Sequence, residues 1–258
     1  MLRILLCSIA LIFFFTIYQL NLLVYLIISI FSKDAAYHYS QKVTCIFLNL
    51  IILISGAEID IVGSDNLDNA YKMNEEKYKS KKGIVFISNH RSLFDVICGY
   101  PIMKTLTGFI AKAELKKVPF FSFWLENDHC LLIDRNNARE GMKVILKAIE
   151  YVNNGISMWI FPEGTRSKKD EIIKEFKEGS FVVATKTDAI LVPIVFINTD
   201  NIFENHFPLI KKTKIKIIIE KPIDVLDLSS DEKKNLSNTT YNIIKNTIEN
   251  NLNNKQFN

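Results

Sequence analysis

Gly83-Ile84-Val85-Phe86-Ile87-Ser88-Asn89-His90-Arg91-Ser92-Leu93-Phe94-Asp95 is the stretch that decides the fold. It opens on a short run rich in β-branched residues, Gly83 to Ser88, which reads as a strand. It closes on Ser92, a good helix N-cap, with Asp95 three residues on in the pattern of a capping box. Strand, polar turn and helix start follow one another directly. The alternation repeats further along. Thr107 to Ala111, Cys130 to Ile133, Ser157 to Phe161, Leu191 to Ile197 and Ile215 to Ile219 read as strands. Ser92 to Met103, Glu140 to Val152, Gly179 to Lys186 and Asp231 to about Asn250 read as helices. Such alternation predicts an α/β fold with a mostly parallel central sheet flanked by helices. Residues 64 to 82 are polar and lysine-rich and read as a loop. No internal repeat is visible, and the asparagine-rich tail after Asn250 is expected to fray.

Towards the amino terminus the pattern changes. Between Arg3 and Lys33 there is no charged residue, a run longer than the roughly 20 residues a helix needs to cross a bilayer. It is too long for the apolar core of a signal peptide. Gln19 and Asn21 in mid-run leave two arrangements open, a tilted spanning helix or a helix lying in the interface. Residues 40 to 58 form a second apolar stretch, which either joins the first at the membrane or packs on the following domain. The expected division is therefore 1–58, membrane-associated helices, and 59–258, a catalytic domain. A cytosol-facing domain suits the four cysteines, which show neither C-x-x-C nor zinc spacing and are expected as buried thiols. With 48% apolar and 23% charged residues the chain can build a packed core. A net charge of +4 is too small to argue for nucleic acid, though it suits anionic lipid or phosphate.

Two polar turns carry the chemistry. Five residues of ideal helix turn the chain by roughly 500°, so His90 and Asp95 do not share a helical face. They meet only if His90 sits in the turn and Asp95 in the first helical turn. Asp95 then accepts from one imidazole nitrogen and leaves the other basic, as a general base for an alcohol requires. A plain capping box with a bystander histidine fits the same residues. The second turn, Phe161-Pro162-Glu163-Gly164-Thr165-Arg166-Ser167, also follows a strand. Gly164 permits close backbone approach, and Arg166 offers a fork of donors suited to phosphate. A solvated surface turn is the plainer alternative. Both turns fall at the carboxyl ends of strands in one parallel sheet, where open α/β sheets bind ligands. Leu131-Leu132-Ile133-Asp134-Arg135 ends a third strand in charge, and Val192-Pro193-Ile194 places a proline in a strand, as an edge strand or a bulge would. His38, His206 and the lysine pairs are expected to be solvated. No G-x-S-x-G, P-loop or G-x-G-x-x-G is present.

In this order the features resemble the glycerolipid acyltransferases, specifically the 1-acyl-sn-glycerol-3-phosphate acyltransferases. Asn89, His90 and Asp95 meet the family's N-H-x-x-x-x-D, and Phe161 to Ser167 meets F-P-E-G-T-R-S in full. Ile133, Asp134 and Arg135 meet the end of G-x-x-F-I-D-R, but Leu132 replaces the aromatic and His129 stands in place of the glycine. Val192 to Ile194 meets V-P-[IV]. Segments like Ala111 to Leu115 and Phe176 to Gly179 are also common in the family. The resemblance runs from about residue 83 to 197, and it implies acyl transfer without a covalent enzyme intermediate. His90 would take the proton of the 2-hydroxyl of lysophosphatidic acid, and Asp95 would orient the imidazole. Glu163, Gly164, Thr165 and Arg166 would bind the glycerol phosphate, with Arg135 a second phosphate ligand. The donor would be a thioester of coenzyme A or of acyl carrier protein, and neither a metal nor a bound cofactor is implied. The rivals are an acyltransferase for glycerol 3-phosphate or another lysophospholipid, and a non-catalytic membrane scaffold.

Overall fold

The computed structural model describes residues 2–117, 121–134, 137–168 and 171–253. Two long helices come first, α1 (Leu2–Phe31) and α2 (Lys33–Ser55). Ser32 breaks them apart and caps α2, accepting from the Ala35 N–H. Gly56, in the left-handed region at φ +73°, ends α2. Then follow β1 (Ala57–Val62), α3 (Ser64–Tyr78), β2 (Val85–Ser88), α4 (Leu93–Gly99), β3 (Thr107–Lys112), α5 (Phe121–Asn127), β4 (Leu131–Ile133) and α6 (Ala138–Asn153). The chain closes with β5 (Ser157–Ile160), α7 (Val182–Thr187), β6 (Ile190–Ile197), β7 (Thr213–Ile219), β8 (Ile223–Asp224), α8 (Ser230–Lys234) and α9 (Leu236–Asn253).

The strands form one sheet in the order β1-β7-β6-β2-β5-β3-β4, with β8 beside β6. From β6 through β4 every neighbour is parallel, as is β1 against β7; β7 and β8 run antiparallel to β6. The strand alternation shows why the runs are continuously apolar. Val85, Ile87, Met158 and Ile160 enter the layer of α6, α7 and α9 with Ala148, Val183 and Ile244. Ile84, Phe86, Trp159 and Phe196 enter the opposite layer, of α2, α3 and α4, with Phe47, Leu67 and Phe94. The expected α/β architecture is therefore present.

Three elements differ from the sequence reading. Residues 64–78 form a helix rather than a loop; its buried stripe is only Leu67, Ala70 and Asn74, too thin to stand out among lysines and glutamates. Ala57–Val62, with Glu58 and Asp60, is an edge strand registered from Ala57↔Thr213 to Val62↔Ile218, so position 58 falls inside the sheet. Pro193 lies on an interior strand, not an edge. Its carbonyl accepts the Glu220 N–H at 3.0 Å, so its nitrogen faces the gap between the β8 pairing, which ends at Leu191, and the β7 pairing, which starts at Ile194. The missing N–H therefore costs no ladder bond.

The amino-terminal helices are joined to this body through α2. Ser40 Oγ and Thr44 Oγ1 donate to the two Asp128 carboxylate oxygens at 2.8 and 2.6 Å, and Gln41 Nε2 donates to the Thr105 carbonyl at 2.8 Å. Burial pushes the Asp128 carboxyl up to about 6. Helix α1 leaves large apolar side chains open along its length, among them Leu5, Ile9, Leu20, Ile27 and Phe31. Among the described residues no helix is long and apolar enough to cross a membrane, so the spanning segment expected there is not established.

Candidate active site

The carboxyl ends of β2, β5 and β6 lie side by side, and the turns leaving them build the site. Asn89 is wholly buried and pins the first turn. Its amide donates to the Phe196 carbonyl at 2.9 Å and its oxygen accepts the Phe196 N–H at 2.8 Å, locking the end of β2 to β6. Ser92 then caps α4, and the capping box is complete. That box and the histidine pair prove to be one arrangement. Asp95 Oδ2 accepts from His90 Nδ1 at 2.9 Å, Arg91 N at 2.7 Å and Ser92 N at 2.8 Å. Its Oδ1 accepts from Thr199 Oγ1 at 2.5 Å. Asp95 is fully buried and all of these donors hold it as a carboxylate acceptor. With Nδ1 donating, Nε2 is the basic nitrogen, and among the described residues it carries no hydrogen bond. The ring stacks on Phe161, centroids 4.2 Å apart.

The second turn is bound to the first in both directions. His90 N donates to Glu163 Oε1 at 2.6 Å, and Ser167 N donates to the His90 carbonyl at 2.8 Å. Glu163 Oε2 accepts from Ser167 Oγ and, at 3.1 Å, from Lys174 N. Burial pushes the Glu163 carboxyl above its usual range, and those donors pull it back. Glu163 thus sits between the turns as a strut rather than at their mouth. Gly164 adopts φ +73°, with the end of the Lys177 side chain against it. Lys174 Nζ donates to Thr165 Oγ1 at 3.2 Å and to the Arg166 carbonyl at 3.0 Å. The half-exposed Arg166 guanidinium donates to Glu204 Oε1 at 2.7 Å. Arg135 lies outside the described residues. No group of His, Cys, Asp and Glu among the described residues is arranged to hold a metal ion.

The sequence reading missed a third contributor. The segment after β6 supplies Thr199 to Asp95, Asp200 to the Arg91 guanidinium at 2.9 Å, and Glu204 to Ser92 Oγ and Leu93 N at 2.6 and 2.8 Å. Its one available signal was position, since β6 ends at the same sheet edge as β2. Lys174 is also new; it enters only because the chain folds back over the second turn. Cys98, one turn beyond Asp95, is no nucleophile: burial and then Asp95 push its thiol up to about 12. Ser92 Oγ is committed to Glu204 and to capping Phe94 N. His129 takes the left-handed backbone, φ +56°, that a glycine would favour there. Its ring is held between Tyr37, at 4.3 Å, and Tyr151, at 5.3 Å, and burial lowers it to about 4.

Comparisons with known proteins agree with this arrangement. Residues 65–197, just over half of the chain, match the family model described as Acyltransferase. The 1-acyl-sn-glycerol-3-phosphate acyltransferase of Saccharomyces cerevisiae is 29% identical over 198 residues, which cover 76% of this chain and 61% of that protein. The enzyme of the same name from Borreliella burgdorferi is 28% identical over 190 residues, 74% of this chain and 71% of that one. The chain thus spans less than two thirds of the yeast relative. The crystal structure of the 1-acyl-sn-glycerophosphate (LPA) acyltransferase PlsC from Thermotoga maritima superposes with a TM-score of 0.75 at 23% identity, covering 96% of this chain and 95% of that one, which shows a shared fold. On the extent of the family match, this chain belongs to the Acyltransferase family.

Proposed function

We propose that this protein transfers a fatty acyl group from an acyl thioester to the 2-hydroxyl of lysophosphatidic acid, forming phosphatidic acid. The observation that carries the reading is the His90 imidazole, tied through Nδ1 to a fully buried carboxylate with Nε2 left for the acceptor. Nε2 takes the hydroxyl proton as the oxygen attacks the thioester carbonyl. The tetrahedral intermediate then expels the thiolate, which recovers that proton from the imidazolium. Asp95 stabilises the imidazolium while it lasts. No covalent acyl-enzyme is needed, in keeping with the blocked Ser92 and Cys98.

The phosphate of the acceptor is assigned to Thr165, Arg166 and the backbone at Gly164, with Arg135 a second ligand. The relatives' names support lysophosphatidic acid as acceptor. Coenzyme A or acyl carrier protein carries the acyl group, and both remain in the assay below. The apolar exposure of α1 supports attachment along the surface of a bilayer, with the α/β body on the cytoplasmic side.

The test is an acyl-transfer assay that crosses lysophosphatidic acid, glycerol 3-phosphate and lysophosphatidylcholine with both thioesters. Lysophosphatidic acid should be the best acceptor, and His90→Ala should remove turnover while leaving the folded state. Normal turnover by His90→Ala would sink the general base; preference for another acceptor would redirect the substrate; no transfer at all would favour the scaffold.

A further inference from the structure

Three of the four donors to Asp95 come from its own turn and converge on one oxygen, Oδ2. The other oxygen, Oδ1, takes its bond from Thr199 Oγ1, 104 residues away in sequence. Thr199 has no exposed surface. It opens the short turn Thr199–Asn201 directly after β6, behind Asn198, whose φ of +69° swings the chain back towards α4. The same segment is fastened twice more, by Asp200 on Arg91 and by Glu204 on Ser92. A threonine hydroxyl held this firmly is a fixed donor.

The last torsion of an aspartate is broad. Donors gathered on Oδ2 alone leave the carboxylate free to rock about the Cβ–Cγ bond. A donor on Oδ1 from an independent strand end removes that freedom. We infer that Thr199 is a positioning residue for acyl transfer: it fixes the plane of the Asp95 carboxylate so that Oδ2 stays in line with His90 Nδ1. This rests on His90 being the general base. Thr199 makes no hydrogen bond to the imidazole; it acts through Asp95.

The test uses the full-length protein and the acyl-transfer assay. Thr199→Val keeps the shape and removes the donor; Thr199→Ser keeps the donor and removes a methyl. Thr199→Val should lower kcat about tenfold or more while KM for both substrates stays within about twofold, because misplacement at the reacting centre acts on turnover. Thr199→Ser should return kcat to within about threefold of the starting enzyme. In an Asp95→Ala background Thr199→Val should bring no further loss of kcat, since the side chain it steers is gone. A kcat unchanged in Thr199→Val, a KM that rises in step with the loss, or a serine variant as slow as the valine one would overturn the inference. If circular dichroism shows Thr199→Val unfolded, Thr199→Ala compared with Thr199→Ser reads the same difference. His90→Ala runs alongside. An active His90→Ala fails the general-base reading itself, whereas an inactive one beside a normal Thr199→Val fails only the role of Thr199.

Discussion

Asp95→Asn separates charge from geometry at this site. The asparagine oxygen can stand where Oδ2 stands and still accept from His90 Nδ1, Arg91 N and Ser92 N. Its amide then meets Thr199, whose hydroxyl rotates to accept instead of donate. The capping box survives, the histidine tautomer survives, and only the negative charge is lost. Two unit charges about 4 Å apart interact by about 4 kcal/mol at an effective dielectric near 20. That dielectric suits a pair in which Asp95 is buried and the His90 side chain is 17% exposed. If all of it is lost from the imidazolium-like transition state, kcat falls about 10³-fold with KM nearly unchanged. The assay is steady-state acyl transfer with each substrate varied in turn, beside a thermal melt. Asp95→Ala gives the contrast. It strands three N–H groups, of His90 Nδ1, Arg91 and Ser92, and the Thr199 hydroxyl, at about 1–3 kcal/mol each if they find no water, so its Tm should fall well below that of Asp95→Asn. A kcat for Asp95→Asn within tenfold of the starting enzyme would refute the claim that this carboxylate stabilises a charged His90.

Two further outcomes test other parts of the molecule. Arg166→Ala should raise KM for the phosphorylated acceptor by about 10- to 100-fold, the worth of a hydrogen bond to a charged group, with kcat largely kept; an unchanged KM would exclude phosphate binding by this side chain. Asp128 gives a pH dependence of known sign. Its carboxyl titrates at about 6 when folded, against an ordinary 3.8, so the folded state holds this proton more tightly. The stability this contributes is fully present below pH 4 and is lost as pH rises through 6, by about 3 kcal/mol in all. Asp128→Asn, which keeps partners for Ser40 and Thr44, removes that dependence. Its unfolding free energy relative to the starting protein should therefore climb between pH 4 and 7. Parallel stability curves over that range would show that folding does not raise the Asp128 carboxyl.

The central strands were legible because burial on both faces demands unbroken apolar runs, as in Val85–Ser88 and Ile190–Ile197. The edges were not. β1 alternates Glu58 and Asp60 outward with only one side paired, and α3 buries too narrow a stripe to show against its charges. The site divides in the same way. His90, Asp95 and the Phe161–Ser167 turn are local patterns, and each can be read from a few neighbouring residues. Thr199 and Glu204 act across 104 and 112 residues, so only the register of β6 against β2 brings them into place. His129 shows a different limit. The position calls for left-handed backbone, and ring contacts with Tyr37 and Tyr151 hold a side chain there that sequence alone marks as a departure.

Glu163 shows how the two legible turns become one device. A carboxylate buried between them is costly unless its oxygens are satisfied. The donors that satisfy it come from both sides: the backbone of His90 from the first turn, and Ser167 and Lys174 from the second and its return. The Ser167 N–H closes the circuit on the His90 carbonyl. Moving either turn alone would break one of these bonds and leave a buried charge short of a partner. The backbone that carries the imidazole is thereby referred to the turn that carries Arg166, while Asp95 and Thr199 set the angle of the ring. The sheet edge brings the three turns together; the buried carboxylates at 95 and 163 fix the distance between the proposed base and the proposed phosphate ligand.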